Sequence, residues 1–444
     1  MKNQRNSIMD LYKEDILRDL AQLISIKSVT SDREECKRAM EFVVARAKEM
    51  GLEAQMPDEL YCYAELGEGE DYDAILTHLD VVPVGDGWNT DPFCLTEQDG
   101  FLFGRGVADD KGSAIASLYC LKALKDNGIT PKRRIRCIFG SAEETGMSDM
   151  TAYFANNPLP HAAFTPDAEF PVCSCEKGIL QLEISLDDAN SSIIKLECGS
   201  AVNCVADRAF MEFNCDEDTK KEFIKYLNDN NVKNKLTLSH DGLLVTFSGK
   251  SAHAMEPQNG ESAIFALLDA LKAVGYNSPL VPLIFSLKDK EGFNFSDERS
   301  GELTSCVGLL NKKDEKLVFT LDIRYPVCTN NETLTEIVKS IAERYGATVR
   351  VRGHQEPINF SDDAPLICML KEAYEEVTGK PASCYSTGGG TYARALGGRG
   401  VAFGPVFPDA PDARLHMSDE NLRKDDYFAF IEICYAAMKK MAEN

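Results

Sequence analysis

The feature that most restricts the fold is a double change of texture along the chain. Through residue 178, amphipathic helical stretches alternate with short apolar runs. Helices are expected over 8–26, where Ile16, Leu20, Leu23 and Ile24 share one stripe, and over 32–50, ending at Gly51. Strands follow at 60–66 and 73–78. A helix at 111–126 is closed by Asn127-Gly128, and then come a strand at 134–139, a helix near 146–156 and a short strand at 162–165. From about 179 the signal becomes that of hairpin-like strands (ILQLEISL, LLVTFSG, KLVFTLDIRYP). Helices at 217–229, 261–274 and 332–345 interleave with them, and ATVRVRG follows the last. After about 356 the first texture returns, with helices at 363–377 and 420–442 and the segments 391–396 and VAFGP between them. Alternation of the first kind demands a sheet covered by helices on both faces. The expectation is a discontinuous α/β domain, 1–178 and 356–444, with a mixed, largely parallel sheet flanked by helices. An α+β domain, 179–355, is inserted into it. A chain of 444 residues exceeds what one core usually serves.

Charge and cysteine narrow the function classes. A formal net charge of −23 argues against nucleic acid and anionic membranes, which reward clustered Lys and Arg. No segment approaches the roughly 20 apolar residues that span a bilayer. The N-terminal stretch MKNQRNSIMDLYKEDILRDL lacks an apolar signal core. The 15 cysteines are odd in number and scattered through core-like runs, which suits a reducing compartment rather than a disulfide framework. Cys173 and Cys175 form a C-x-C read as packing residues. A cytoplasmic protein is expected.

Several short strings carry chemistry. His78 and Asp80 end the apolar run DAILTHLD, with the i, i+2 spacing that puts two side chains on one face of a strand. A metal-binding imidazole commonly gives its other N–H to a carboxylate, and this pair supplies one. GRGVADDKG opens the helix at 111. A capped helix start with acidic residues at its positive end explains one of Asp109 and Asp110, but not the whole string. GSAEETG follows the strand at 134–139. If the extended conformation persists, Glu143 and Glu144 diverge, so that one binds a metal while the other handles water. Asp167 follows another apolar run, and His416 lies in RLHMSDE. Oxygen and nitrogen donors at the carboxyl ends of successive strands are where an open α/β sheet places its site.

Taken in order, HLD, GRGVADDKG, EETG, PDAEFP and LHMSDE resemble the dinuclear zinc peptidases that include acetylornithine deacetylase, succinyl-diaminopimelate desuccinylase and the glutamate carboxypeptidases. HLDVVPVGDGW, GRGVADDKG and STGGGTYAR are most similar to the PepV-like, Xaa-His dipeptidases, and the likeness runs from about residue 10 to the C-terminus. The resemblance implies that His78, Asp109 and Asp167 hold one ion and that Asp109, Glu144 and His416 hold the other, with Asp109 bridging. It makes Glu143 the general base, with Asp80 orienting His78. His253 in SGKSAHAMEP becomes the donor to the tetrahedral intermediate. It places Asn203, Arg324, the turn Gly388, Gly389 and Gly390, and Arg394 at the substrate. NCVAD in place of a proline-containing string, and a glycine-poor loop before His416, depart from the usual wording without removing a ligand.

Two divalent ions are therefore expected, zinc first, with manganese or cobalt as alternatives. The implied activity is hydrolysis of dipeptides. N-acyl-amino-acid deacylation is the alternative with the same chemistry, and a non-catalytic peptide-binding protein is the alternative of another class. The long insert, a two-lobed lid in the dipeptidase subtype, favours a monomer.

Overall fold

A computed structural model describes residues 8–187, 192–239 and 242–444. The charged stretch at the very N-terminus lies outside these residues. The chain divides into two units of mixed α/β architecture. The first comprises the described residues through Cys175, together with Ile358–Tyr385 and Gly390–Asn444; the second comprises Glu176–Pro357 and Ser386–Gly389. The changes of texture were read at 178/179 and 355/356. The break falls earlier because Val172–Glu176 belongs to the sheet of the first unit, while Gly178–Asp187 pairs with Lys316–Tyr325 in the second. The short return of Ser386–Gly389 to the second unit follows from two bonds. Lys177 N–H donates to the Thr387 carbonyl at 2.9 Å, and the Arg324 guanidinium donates to the Gly388 carbonyl at 2.9 Å.

The first unit is built on a nine-stranded mixed sheet. At its centre Arg134–Gly140, Tyr72–His78, Ala163–Thr165 and Gly400–Ala402 run parallel; Tyr61–Leu66 and Val172–Glu176 join antiparallel on either side. Every residue of Tyr72–His78 is buried, as a central parallel strand covered on both faces should be. Successive side chains serve opposite layers. Ile75, Ile135, Cys137 and Phe139 meet the helices Ile8–Ser25, Lys111–Asp126, Pro365–Thr378 and Lys424–Glu443, whereas Ala74, Leu76 and Ile138 meet Ser148–Asn156 and Tyr392–Leu396. The stripe Ile16, Leu20, Leu23 and Ile24 is fully buried in the first of these cores.

The second unit is an eight-stranded antiparallel sheet in the order Asn234–Leu238, Gly242–Ser248, Arg208–Asn214, Ile193–Cys198, Thr304–Lys313, Lys316–Tyr325, Gly178–Asp187, Thr348–Gln355. Helices Glu217–Asp229, Ala263–Ala273, Leu280–Lys288 and Asn331–Glu343 contribute to its own core. Leu280–Lys288 was not expected from the sequence. It is a short apolar run interrupted by Pro282, so neither period is legible in it. All 15 cysteines are free thiols, and Cys173 and Cys175 are fully buried. No helix among the described residues is long and apolar enough to cross a membrane.

Candidate active site

Parallel register sets the site. His78 is paired with Gly140 across adjacent strands, and Ala163–Thr165 lies on the other side of Tyr72–His78. The chain segments leaving these three strand ends carry Asp80, Glu143 with Glu144, and Asp167. Asp109 arrives just before the helix Lys111–Asp126, and His416 from a loop before Asn421–Arg423.

The side chains converge. The two oxygens of Asp109 face different histidines: Oδ1 lies 2.9 Å from His78 Nε2 and Oδ2 lies 3.0 Å from His416 Nε2. Glu144 Oε2 is 3.2 Å from His416 Nε2, and Asp167 Oδ2 is 4.0 Å from His78 Nε2. Ligand atoms from His78, Asp109 and Glu144 all lie within 4.8 Å of one another. Donors arranged about 2 Å from a common zinc ion would lie within such a span. His78 Nδ1–H donates to the Asp80 carbonyl at 2.9 Å, so Nε2, which faces Asp109 and Asp167, is the nitrogen a metal ion would take in place of a proton. The donor set fits divalent cations.

The electrostatics point the same way. Asp109 is buried, which alone would raise its pKa, but His416 and His78 outweigh burial and hold it well below the usual carboxylate range. Asp167 is pushed well up by burial and by repulsion from Asp109. Burial also raises Glu143, aided by Asp167 and Glu144, and it raises Glu144, aided by Asp109. His416 keeps about half of its side chain exposed; desolvation by the surrounding protein works against its charged form, yet Asp109 and Glu144 carry its pKa up to about 11. Carboxylates that suppress one another's ionisation form a site short of positive charge.

Three details differ from the sequence reading. First, the strand ends at Gly140, so Glu143 and Glu144 sit in a turn closed by Gly146 N–H on the Glu143 carbonyl, not in extended chain. Second, the Asp80 carboxylate faces more than His78, whose Nδ1 is 3.5 Å from Oδ1: it also accepts from the Thr30 hydroxyl at 2.7 Å, Glu143 N–H at 3.2 Å and Glu144 N–H at 3.4 Å. Asp80 thus holds the turn of the two glutamates, and its backbone carbonyl holds His78. Third, Asp110 occupies the N-cap position without making a side-chain cap; its carboxylate instead accepts from His78 N–H at 3.1 Å.

Two residues of the site carried no assigned role in the sequence. Asp149 accepts from Ala142 N–H at 2.6 Å and from the Tyr392 hydroxyl at 2.5 Å, and the Tyr392 ring meets the His78 ring edge-on at 6.1 Å. Tyr392 lies in the string STGGGTYAR already singled out, while Asp149 lies three residues beyond GSAEETG, and nothing in their spacing paired them. A Cβ added to Gly140 would lie 2.0 Å from Tyr392 Oη and 2.3 Å from an Asp149 oxygen. Gly140→Ala is therefore expected to destabilise the protein by about 1–3 kcal/mol, as overpacking does, and to lower activity through the displaced glutamate turn. Denaturant melts read against turnover check both effects.

The remaining predicted residues divide between the units. Gly390 and Arg394 belong to the first, Arg394 on the short helix Tyr392–Leu396. Asn203, His253, Arg324, Gly388 and Gly389 belong to the second. There the segment at 203–204 pairs with that at 253–254. Met255 N–H donates to His253 Nδ1 at 3.2 Å, which leaves the ring proton on Nε2. Arg324 is 3% exposed and ion-paired with Asp322 at 2.6 Å. In the first unit a separate cavity of about 870 Å³, lined in part by Asp73, His161, Arg133 and Lys440, opens near the start of Tyr72–His78, roughly 16 Å of extended chain from His78. Arg133 and His161 are already paired with Asp73 and Lys440 with Glu372, while Arg399, also in the lining, donates to the Pro160 carbonyl at 3.2 Å.

Comparison with known proteins agrees with this geometry. Residues 74–440 match the family described as Peptidase family M20/M25/M40. The chain is 31% identical over 458 residues to a Bacillus subtilis protein named "Putative dipeptidase YtjP", covering 97% of this chain and 98% of the relative. Among solved structures it is similar to the dipeptidase Dug1p of Saccharomyces cerevisiae (TM-score 0.63, 15% identity, 98% of each chain covered). It is also similar to the M20 family metallo-carboxypeptidase Sso-CP2 of Sulfolobus solfataricus (TM-score 0.62, 17% identity, 97% and 99% covered). The chain belongs to peptidase family M20/M25/M40 and is a hydrolase of peptide bonds.

Proposed function

We propose that this protein is a cytoplasmic, monomeric dipeptidase working with two divalent metal ions, zinc in the first instance. The observation that carries the reading is Asp109, whose two carboxylate oxygens face His78 and His416 separately, at 2.9 and 3.0 Å. His78, Asp109 and Asp167 form one ligand set, and Asp109, Glu144 and His416 the other. The ions would supply Lewis-acid polarisation of the scissile carbonyl and a lowered pKa for water. Glu143 takes the proton from the attacking water and returns it to the leaving amine. Its raised pKa suits both halves of that task. His253 donates its Nε2–H to the oxyanion, and Asn203, Arg324, Gly388, Gly389, Gly390 and Arg394 contact the peptide's backbone and carboxylate. The second unit then acts as a lid that admits only short peptides. Free thiols throughout suit a reducing compartment.

The test uses metal-stripped protein reconstituted with zinc, manganese or cobalt and assayed on free dipeptides, tripeptides and acetylated amino acids. Stripping should abolish dipeptide hydrolysis and zinc should restore it. Full turnover in demonstrably metal-free protein would overturn the mechanism, and better turnover of acetylated amino acids would replace dipeptidase with deacylase.

A further inference from the structure

The loop carrying His416 adopts an unusual backbone. Arg414, His416 and Asp419 have φ of 56°, 61° and 58°, in the left-handed region that costs an ordinary residue roughly 1–2 kcal/mol. Something must fix it. Asp419 is bound by Asn89, through its N–H at 2.8 Å and its amide at 2.6 Å. The next residue, Glu420, is 1% exposed and turns toward the other ligand loop. Its carboxylate accepts from Gly106 N–H at 3.1 Å, Ala108 N–H at 3.0 Å and Asp109 N–H at 3.2 Å, and from Arg105 Nη1 at 2.7 Å. Its carbonyl accepts from Gly104 N–H at 3.2 Å. Beyond it, Asn421–Arg423 pairs antiparallel with Phe101–Phe103, so both loops leave one short ladder. Gly106 has φ of 88°, and a Cβ there would lie 3.0 Å from both Lys111 and Val81, so this turn requires glycine.

These contacts account for every strong acceptor direction of Glu420, so it is not itself a ligand. Its partner Arg105 is likewise 1% exposed, and the guanidinium lies 5.2 Å from the centre of the Trp88 ring. We propose that Glu420 is a positioning residue that locks the Asp109 loop to the His416 loop and so fixes the separation of the two ligands shared by the second metal position. The proposal rests on the ligand assignment above. A purely structural ion pair would contribute to stability alone, whereas a positioning residue sets metal affinity.

Glu420→Gln tests this. The amide cannot accept from both Arg105 and the three backbone N–H groups, so one donor must face another. Zinc affinity, measured by competition with a chromogenic chelator, is expected to fall about 10–100-fold for one of two equivalents, the usual size of an effect one step removed from the metal. The visible spectrum of the cobalt-loaded protein should shift, and lost turnover should return at saturating zinc. If the single variant does not fold, Arg105→Met with Glu420→Gln removes both buried charges and is measured in its place. A folded variant that binds both equivalents as the wild type does overturns the proposal. His416→Ala is the control. If it loses one equivalent while Glu420→Gln loses none, only the positioning role fails; if it loses none, the ligand assignment fails and takes this proposal with it.

Discussion

Glu143→Gln is expected to lower kcat by about 10²–10⁴-fold, the range that a positioned general acid–base contributes, while metal content and melting temperature stay close to those of the wild type. The expectation follows from how Glu143 is held. Its N–H is tied to Asp80, its neighbour Ala142 to Asp149, and its carboxyl is buried among Asp167, Glu144 and Asp109. Glutamine keeps the shape and removes a charge that its surroundings already disfavour, so folding has little to lose. The proton acceptor is lost, and no other side chain on this turn replaces it: Glu144 is engaged with His416 at 3.2 Å. Steady-state kinetics with metal analysis on the same preparation decide the matter. Turnover within a few-fold of wild type would remove Glu143 from the reaction.

The proposed ligands were legible only as a set. His78, the glutamate pair and Asp167 follow apolar runs read as strands, and Asp109 precedes a helix after a glycine turn, where open α/β sheets gather polar residues. His416, by contrast, lies in a loop and entered through the family resemblance. The long helices were legible too: Lys111–Asp126 is bounded as expected, and Ile8–Ser25 buries the stripe read from its 3.6-residue period. What was not legible depends on pairings between distant segments. Nothing in the string HLD says that the Asp80 carboxylate turns to a glutamate turn 63 residues on. The partnership of Asp149 with Tyr392, 243 residues apart, is equally silent. Glu420 was only the last letter of the string LHMSDE, yet its partners lie 311–315 positions earlier. Short elements fail differently: Leu280–Lys288 is too apolar and too brief to show a period, and Ser386–Gly389 joins the second unit through bonds to its backbone carbonyls, which leave no compositional trace.

Asp109→Asn should have the widest effect of any single substitution, abolishing measurable peptide hydrolysis and metal binding together. Asp109 is the one carboxylate of the cluster held well below its ordinary range with a histidine on each oxygen. An asparagine there offers one weak acceptor and one N–H₂ donor, so at least one histidine faces a donor. A bridging position needs two anionic oxygens, and the variant has none. The consequence reaches stability as well. A ligand that binds only the folded protein stabilises it by about 4 kcal/mol at a thousand times its Kd, so zinc should raise the melting temperature of the wild type substantially. In Asp109→Asn that rise should vanish, and the metal-free variant should also melt earlier than the metal-free wild type, because the pairing of the Asp109 carboxylate with His78 and His416 is lost and outweighs the relieved repulsion on Glu144 and Asp167. Calorimetric melts of both proteins with and without zinc separate these effects. A zinc-dependent shift of wild-type size in the variant would show that Asp109 does not hold the ions, and the two-metal reading would fall with it.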